Sequence, residues 1–369
     1  MRVEVIADRR RLDALRPEWD ELLDQSASPN IFLTWEWISI WWEVYRGSSE
    51  LHVVTLRDGT ERLVGLALFQ RQVRRALGLT RPARVRFIGD GGDVTPEHLD
   101  VIARPGWEEA VARHVGNTLC QDVSIGTIDL RPTPANSLIQ RTLQGMFEAH
   151  PGRVTAAHDS TCPILILPDS VERFMAAQSG NYRKKIGEYE RRCSRELHAR
   201  VRRSASVEDV ERDMATLVSL HRKRWQGLSA SFRTPQYIAF HEQLARRFLE
   251  RGWLRLFLLE SGTQVLAALY CFTYQGRYYF YQSGRDPHFA RYRVGLVLMH
   301  CVVQEAIREG AIVFDFLRGE EAYKYRWATN RVDNIRLTYW KSLPAWVDGQ
   351  VRDGLRSLGT RGGVKLAWR

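Results

Sequence analysis

The order of secondary-structure elements predicted from the sequence repeats once along this 369-residue chain, and the repeat limits the folds open to it. In the first half, a hairpin at Leu51–Leu56 and Leu63–Phe69 precedes a third strand at His98–Ile102, then a helix, a strand, a helix and a strand. The second half follows the same order from its own hairpin, at Trp253–Leu259 and Gln264–Thr273. We therefore predict an α+β chain with a mixed sheet, built from two similar units.

Hydrophobic periodicity supplies the remaining elements, because apolar residues at helical spacing predict helices and alternating ones predict strands. Helices are predicted at 35–45, 107–119, 134–148, 181–197, 207–225, 235–251, 295–309 and 320–328, and further strands at 125–130, 278–282, 312–316 and 334–340. We divide the chain into a first unit at 1–160, a second unit at 161–345, and a basic C-terminal helix and tail at 346–369.

The charge balance is basic: 54 Lys and Arg residues against 43 Asp and Glu residues give a net charge of +11. Basicity suggests phosphate-bearing partners but does not choose among nucleic acid, a nucleotide cofactor and an anionic membrane. The sequence lacks the motifs of phosphate-loop, dinucleotide-binding, zinc-protease and serine-hydrolase enzymes, which argues against those classes. The ten histidines show no ligand spacing, so we predict no metal.

Cysteine usage and hydropathy indicate the compartment. The five cysteines are scattered and form no Cys-x-x-Cys pair, which favours a reducing environment. The N-terminus has no apolar run of signal-peptide length, and no stretch of the sequence reads as a membrane span. We therefore expect a cytoplasmic protein, with peripheral association at the inner membrane face through basic surface left open.

Two basic segments are candidate phosphate sites. In the predicted helix at 181–197, Arg183 and Lys184 lie in the first turn beside free backbone N–H groups and are candidates to hold a phosphate-bearing donor or acceptor. A solvated amphipathic helix explains the same pattern. The second segment is the loop at 284–296, which ends on a predicted helix and joins three arginines and a glycine into a candidate pyrophosphate cradle. These four residues are Arg285, Arg291, Arg293 and Gly295.

The stretch from Ile312 to Ala328 carries the strongest chemical signal. It places Asp315 at the end of an apolar strand, then Arg318, and then the start of a helix, and strand ends are where open sheets build sites. Lys324 follows Glu320 at i,i+4 spacing, which also fits an ordinary surface ion pair.

The run F-D-F-L-R-G-E-E-A-Y-K-Y-R-W-A, from Phe314 to Ala328, resembles the signature of the CelD/BcsL-type acetyltransferases of the GNAT superfamily. The basic helix, the strand Tyr279–Gly284 and the early segment Phe32–Trp37 extend the resemblance over most of the chain. It implies two tandem GNAT-like acyltransferase domains, an arrangement shared with the FemAB peptidyltransferases. It also implies acetyl- or acyl-coenzyme A as the donor, lying between two splayed strands, Tyr278–Gln282 and Ile312–Phe316.

The resemblance implies roles for individual residues. Lys324 would stabilise charge at the reacting carbonyl, with Asp315 and Glu320 or Glu321 as candidate bases and Tyr281 as a candidate acid. The Tyr323-Lys324 pair is similar to the aromatic-lysine pair of FemAB enzymes, which use aminoacyl-tRNA. The first unit is expected to have no donor site. Its loop Gly89–Asp93 and Asp100 would shape an acceptor cleft.

Three functional interpretations remain at this stage. The leading one is acyl transfer to an amine or hydroxyl of a small molecule or of a glycan, lipid-linked or other envelope precursor, as in polysaccharide biosynthesis. It requires no specific nucleic acid. The second is FemAB-like aminoacyl transfer from tRNA, and the third is a noncatalytic binding protein that keeps the fold.

Overall fold

The computed structural model describes residues 1–76, 79–226 and 229–350. The first half of the chain, up to residue 152, begins with a strand and two short helices and then forms most of one sheet. Its elements are β1 (Arg2–Ile6), α1 (Arg9–Ala14), α2 (Arg16–Asp24), a 3₁₀ turn (Ile31–Leu33), α3 (Trp35–Tyr45), β2 (Glu50–Arg57), β3 (Leu63–Ala76), β4 (Leu79–Phe87), β5 (Ile102–Ala103), α4 (Glu108–Gln121), β6 (Ile125–Pro134) and α5 (Leu138–Glu148).

The second half of the chain repeats this plan with longer helices. Its elements are β7 (Arg153–Ile166), α6 (Val171–Ala177), α7 (Gly180–Leu197), β8 (Arg200–Arg203), α8 (Val207–Trp225), α9 (Pro235–Glu250), β9 (Leu254–Ser261), β10 (Gln264–Tyr274), β11 (Arg277–Arg285), a 3₁₀ turn (Pro287–Tyr292), α10 (Val294–Arg308), β12 (Val313–Asp315), a 3₁₀ turn (Lys324–Arg326) and β13 (Asn330–Trp340). Residues 343–350 are helical, and the rest of the predicted tail lies outside the described residues.

A single mixed sheet runs through both halves. The described residues form 13 strands in the order β1-β2-β3-β4-β6-β13-β7-β12-β11-β10-β9-β8, with β5 paired to β3. The last strand, β13, lies between β6 and β7 and pairs antiparallel with both. The predicted boundary at residue 160 falls within β7. Because each half contributes a strand to the middle of the sheet, the halves are joined by backbone hydrogen bonds as well as by side chains.

Helix boundaries follow side-chain caps. Ser179 accepts a hydrogen bond from the Tyr182 amide at the start of α7, and Ser206 does the same for α8. Thr234 caps α9, whose first residue, Pro235, has no N–H to satisfy. These caps fix where the second-half helices start, and therefore which residues face the sheet.

Two apolar cores cover the sheet. One joins the first half to a face of the second-half sheet, where Trp37 of α3 packs edge-on against Phe240 of α9 with ring centroids 5.0 Å apart. The other lies on the opposite face, under α6, α7 and α10, and includes Phe174, Ile186 and Trp327. The first core has no boundary between the halves, so the first half has no separate core, whereas the second core is built from second-half residues alone.

Two sequence predictions about elements were wrong. The third strand of the first half is β4, at Leu79–Phe87, and of the predicted strand at His98–Ile102 only Ile102 lies in a ladder, as the first residue of β5. His98 has a left-handed φ of 57°, which interrupts a strand. The predicted helix at 320–328 is reduced to the 3₁₀ turn at Lys324–Arg326. Within the described ranges, no helix combines the length and apolarity needed to cross a bilayer.

Candidate functional site

The parallel strands β11 and β12 pair over a short distance only. Their pairing joins Arg277–Tyr279 to Val313–Asp315 and covers only three residues of the nine in β11. A β-bulge on the other edge of β11, between its pairs at Phe280 and Gln282, leaves Tyr281 as the extra residue. Bulges bend and twist a strand. All three residues of β12 are paired, and the chain turns at Leu317, with φ 53°, soon after β12 ends. The outer part of β11, from Phe280 to Arg285, therefore has no pairing with β12, and we call the place where this pairing stops the fork.

The fork leads to the start of α10. Arg293 adopts a left-handed conformation with φ 54° at the N-cap, and its carbonyl accepts from Leu296 and Val297 at 2.8 and 3.1 Å. The amides of the first helical residues point out of a helix and favour an anion. The first turn of α10 holds no acidic residue, and a Cβ on Gly295 would lie 3.3 Å from Cδ of Arg285. The predicted cradle residues are thus gathered around one helix start.

Arg291 and Arg293 are the exposed members of this cradle. The guanidinium of Arg291 lies 4.7 Å from the ring centroid of Tyr292, and that of Arg192, from α7, lies 5.2 Å from the same ring. Arg183 and Lys184 are exposed at the start of α7 and have no ion-pair partner within the described ranges. The structure therefore places α7 beside the cradle and leaves the cations of its first turn facing solvent.

The Lys324 ammonium is buried and held by backbone. Its Nζ donates to the carbonyl oxygens of Arg318 at 2.6 Å and Leu317 at 3.3 Å, and the residue is 4% exposed. Leu317 has φ 53° and Gly319 has φ 114°, so the chain after β12 makes a tight loop around the ammonium. A lysine tied to two carbonyls is a fixed point charge just past the fork.

Glu321, rather than Glu320, is the acidic partner of Lys324. Its Oε2 lies 3.0 Å from Nζ, at ion-pair distance, but the geometry gives this buried oxygen no hydrogen bond. A Cβ on Gly319 would lie 2.4 Å from the same oxygen, so the glycine makes room for the carboxylate. Glu320 is exposed and accepts from the Tyr325 hydroxyl at 3.1 Å. The i,i+4 pair expected from the sequence does not form.

Arg224, at the end of α8, is a site residue that the sequence interpretation missed. Its Nη1 donates to the Ser283 hydroxyl on β11 at 2.7 Å, and its guanidinium lies near enough to the Tyr323 hydroxyl to oppose the rise in the pKa of that hydroxyl. Burial lowers the pKa of Arg224 and raises that of the Tyr323 hydroxyl well above its usual value. The pair Lys223-Arg224 at the end of a predicted helix is the sequence feature that could have identified Arg224 as a candidate site residue. Arg224 joins the outer part of β11 to the lysine loop.

Asp315 is fully buried and has hydrogen bonds on both oxygens. Its Oδ2 lies 3.1 Å from His98 Nε2 and 3.0 Å from Arg277 Nη1, and its Oδ1 accepts from the Leu317 amide at 2.9 Å. Burial alone would raise its pKa, but the charges and hydrogen bonds of His98 and Arg277 hold the pKa below its usual value. Asp315 is therefore an ionised anchor at the end of β12.

His98 bridges the halves and was not singled out from the sequence. Its Nδ1 lies 3.0 Å from Oδ1 of Asn334. The Asn334 amide nitrogen donates to Glu97 at 2.9 Å, so Oδ1 is an acceptor and His98 donates from both ring nitrogens. Burial lowers the pKa of His98, but the negative charge of Asp315 outweighs it and raises the pKa overall.

His98, Cys162 and Asp315 offer ligand atoms within 4.8 Å of one another. Burial raises the pKa of the Cys162 thiol far above its usual value, and the nearby carboxylates Glu97 and Asp315 add to the rise. The direct contact between His98 and Asp315, with the Arg277 guanidinium beside it, already occupies the imidazole and the carboxylate. This cluster is explained by hydrogen bonding and does not fit a cation.

Three other predicted site residues lie apart from the fork or are held by other groups. Tyr281 is buried in an aromatic cluster, and its hydroxyl accepts from the Thr95 amide at 3.4 Å. Arg318 donates to Asp159 at 2.9 Å and also pairs with Glu97. Asp100 lies in the first half beside Ser137, and burial raises its pKa to about 6.

The corresponding place in the first half has a different chemistry. Its parallel pair, β4 and β6, also separates after Val85 and Ile128. The helix that follows, α4, begins with Glu108 and Glu109, which carry the charge opposite to that of an anion cradle. The two forks therefore differ in what their helix starts can bind.

Comparison with known proteins agrees with this geometry. Residues 180–325 match the family model of an acetyltransferase (GNAT) domain, and this range contains the fork, the cradle and Lys324. The chain has a tandem GNAT-like fold. No curated protein matches the sequence.

Solved structures resemble this tandem GNAT-like chain over nearly its full length. The crystal structure of FemX matches with a TM-score of 0.63 and 12% identity, covering 94% of this chain and 99% of FemX. A conserved protein of unknown function from Bacteroides thetaiotaomicron matches with a TM-score of 0.57 and 10% identity, over 92% and 100%. L-PGS from Bacillus licheniformis matches with a TM-score of 0.51 and 12% identity, over 92% and 94%. At these identities the likeness concerns the fold.

Proposed function

We propose that the chain transfers an acyl group from an acyl-coenzyme A thioester to an amine or hydroxyl of an acceptor, as a CelD/BcsL-type member of the GNAT superfamily. One observation carries this proposal: β11 continues past the end of β12, unpaired with it, and leads to a helix start lined by arginines. An open strand edge offers backbone groups to an extended pantetheine arm, and the helix start offers amides and positive charge to a pyrophosphate.

The residues at the cradle fit this donor. Arg285, Arg291 and Arg293 provide cations at the start of α10, and Gly295 keeps the first turn free of a side chain. An acyl-coenzyme A molecule held there would extend along β11 towards the fork, where the β12 loop carries Lys324. In this proposal the pyrophosphate of the donor and the Lys324 ammonium lie at opposite ends of one slot.

Lys324 and Glu321 divide the chemistry in this proposal. The acceptor nitrogen or oxygen attacks the thioester carbonyl, the carbon–sulfur bond breaks, and the thiolate of coenzyme A leaves. The fixed ammonium of Lys324 stabilises the negative charge that develops on the carbonyl oxygen. The Glu321 carboxylate, whose Oε2 has no hydrogen bond, takes the proton that the acceptor loses and returns it through solvent to the leaving sulfur.

The other predicted residues take supporting roles. Both oxygens of Asp315 are engaged, so we assign it to holding the end of β12 and the lysine loop rather than to proton transfer. Tyr323 and Arg224 brace that loop against β11. Glu320 faces solvent and has no assigned step.

Calorimetry with acetyl-coenzyme A and longer acyl-coenzyme A tests the donor site. The Gly295→Ala variant places a methyl group in the cradle and should weaken donor binding by about tenfold, or 1.4 kcal/mol. Gly145→Ala is the matched control, because Gly145 also lies in a helix and its Cβ would meet open space. Absence of binding by the wild-type chain, or equal binding by both variants, would refute the donor site.

A second candidate function is aminoacyl transfer from tRNA. The observation that favours it is the solvent-facing group of Arg183, Lys184 and Lys185 in the first turn of α7, without ion-pair partners among the described residues. A later part of the same helix, at Arg192, lies beside the cradle. A polynucleotide donor would extend over such a surface and lose affinity steeply with added salt. Activity abolished by ribonuclease and indifferent to coenzyme A would establish this alternative and displace the first.

A further inference from the structure

A cleft of about 500 Å³ lies in the first half, at the fork between β4 and β6. The residues that matter for its chemistry are Trp41, Tyr45, Gln70, Gln72, Asp90 and Arg131. Its volume lies within the range of small-molecule sites. The proposed acyl-coenzyme A donor does not bind at this fork. The helix that follows the β4–β6 fork, α4, begins with acidic residues, which would repel the pyrophosphate of the donor.

We propose that this cleft binds a neutral, hydroxyl-rich acceptor such as a sugar unit of a glycan. Its role as an acceptor site rests on the proposed acyl transfer, whereas its affinity for a sugar does not.

Polar side chains on the floor of the cleft keep donors and acceptors that no short hydrogen bond among the described residues uses. The Arg131 side chain is 32% exposed, and its contacts are long, 3.6 Å to Asp90 and 3.4 Å to Asp159. Gln72 makes only a 3.4 Å contact to Gln70. A guanidinium, a carboxylate and an amide side by side match the mixed donors and acceptors of sugar hydroxyls.

The supporting groups behind that floor are rigid. Gln70 is buried and its amide donates to the carbonyls of Phe87 at 2.9 Å and Asp90 at 3.0 Å. Asp90 Oδ2 accepts from Arg86 Nε at 2.9 Å, which fixes the carboxylate and leaves its Oδ1 towards Arg131. Polar groups held in place in this way lose little entropy when a ligand binds.

One wall is aromatic and closely packed. The backbone of Gly92 lies against the Tyr45 ring, where a Cβ would come within 2.4 Å of a ring carbon. Trp41 donates from its ring nitrogen to the Gly91 carbonyl at 3.3 Å, behind Tyr45. Tyr45 is the partly exposed ring of this pair and gives the cleft one apolar face.

The charge of the cleft selects among ligand classes. Arg86 and Arg131 are paired with Asp90 and Asp159, and Arg318, which shares Asp159, is also paired with Glu97. These ion pairs leave no surplus of positive charge at the cleft. A phosphate-rich ligand would find free cations at the start of α10 instead. The polar floor disfavours an acyl chain or other apolar ligand. A neutral polyol fits both conditions.

Two ion pairs and a hydrogen bond connect the cleft to Lys324. Arg131 contacts Asp159, Asp159 accepts from Arg318 at 2.9 Å, and the Arg318 carbonyl accepts from Lys324 at 2.6 Å. In this series of contacts, Asp159 and Arg318 therefore lie between Arg131 at the cleft and Lys324. An acceptor longer than one sugar could occupy the cleft and present a hydroxyl or amine near Lys324.

Saturation-transfer NMR tests the cleft without any donor. The probes are glucose, maltose, cellobiose, maltotriose and N,N′-diacetylchitobiose, with inorganic phosphate as the anionic comparison. We expect at least one of these sugars to bind and phosphate not to compete with it. The Gln72→Trp variant fills the cleft from a strand that tolerates aromatic residues, and should weaken sugar binding at least tenfold. The Gln72→Ala variant should weaken it to a smaller extent.

Gln144→Ala is the control, since Gln144 lies on α5 and bonds only to helix neighbours. If no sugar in the panel binds, if phosphate displaces the sugar, or if Gln72→Trp binds as well as Gln144→Ala, the cleft is not a sugar site. The NMR measurement contains no acyl-coenzyme A, so its result does not depend on the donor site. If the chain bound a sugar by NMR but no acyl-coenzyme A by calorimetry, the proposed acyl transfer would be refuted and the sugar site would not.

Discussion

His98 Nε2 lies 3.1 Å from Asp315 Oδ2, and this contact joins a loop of the first half to the strand that forms one side of the donor fork. The two residues are separated by 217 positions in the sequence. Asp315 is buried and the His98 side chain is 10% exposed, and His98 donates from both nitrogens, so the pair is an imidazolium with a carboxylate. The fork is therefore held in place partly by a charge from the other half.

This pair gives the fold a defined pH dependence. The raised pKa of His98 means that its contribution to stability is fully present below about pH 6.5 and is lost as the pH rises through the folded-state value. The lowered pKa of Asp315 means that its contribution is present above about pH 3.9 and is lost as the pH falls through the folded-state value. Both contributions are present together between these two limits.

The His98→Asn variant tests the pair, because Asn tolerates the left-handed backbone of this position. We expect it to lower the free energy of unfolding by about 3 kcal/mol near pH 6. The loss should shrink as the pH rises. Urea melts between pH 5.5 and 8.5 measure both effects.

His198→Asn is the matched control, since His198 also has a left-handed φ, of 50°, and is exposed. Its melts should follow those of the wild-type chain at every pH. A His98→Asn chain whose stability loss does not vary with pH would show that the imidazolium is not what stabilises the fork.

Local sequence was enough to predict most of the duplicated element order and the helix start near Gly295. The residues from Arg285 to Gly295 form a strand end, a turn and a helix start in succession, so their proximity needs no long-range contact. The same holds for the loop that follows β12. Such segments are decided by their own turn and capping residues.

Contacts between distant parts of the sequence could not be predicted from local patterns, and neither could the 3₁₀ turn at Lys324–Arg326. Arg131 and Asp159 meet the lysine loop only because β13 crosses between β6 and β7, and no local pattern specifies that crossing. The Glu320–Lys324 pair was expected from α-helical spacing. The chain forms a 3₁₀ turn instead, which brings Glu321 to Lys324 at i,i+3.

Replacing Lys324 by Met should separate its chemical role from its structural one. Loss of the ammonium leaves the carbonyls of Leu317 and Arg318 without their donor, at a cost of about 1–3 kcal/mol in unfolding free energy. If the ammonium also stabilises the reacting carbonyl, kcat for acyl transfer falls by about 10²–10³-fold. Thiol release from acyl-coenzyme A measures kcat, and thermal melts measure stability.

Lys341→Met is the comparison for that variant, because Lys341 also donates to a backbone carbonyl, that of Asp122, at 2.8 Å. It should lose a similar amount of stability and keep its kcat. Equal kcat values in the two variants would remove Lys324 from the chemistry and leave it as a support for the loop.

Glu321→Gln tests the proton acceptor. The amide keeps the size of the side chain beside Lys324 but cannot take a proton, so we expect kcat to fall by about 10²-fold or more with little change in donor affinity. Glu320→Gln, one residue away and exposed, should leave kcat within a factor of about two, as surface substitutions do. Added formate should restore part of the activity of Glu321→Ala by supplying the missing carboxylate. A larger loss in Glu320→Gln than in Glu321→Gln would reverse the assignment, and equal activity in both variants would place the base elsewhere.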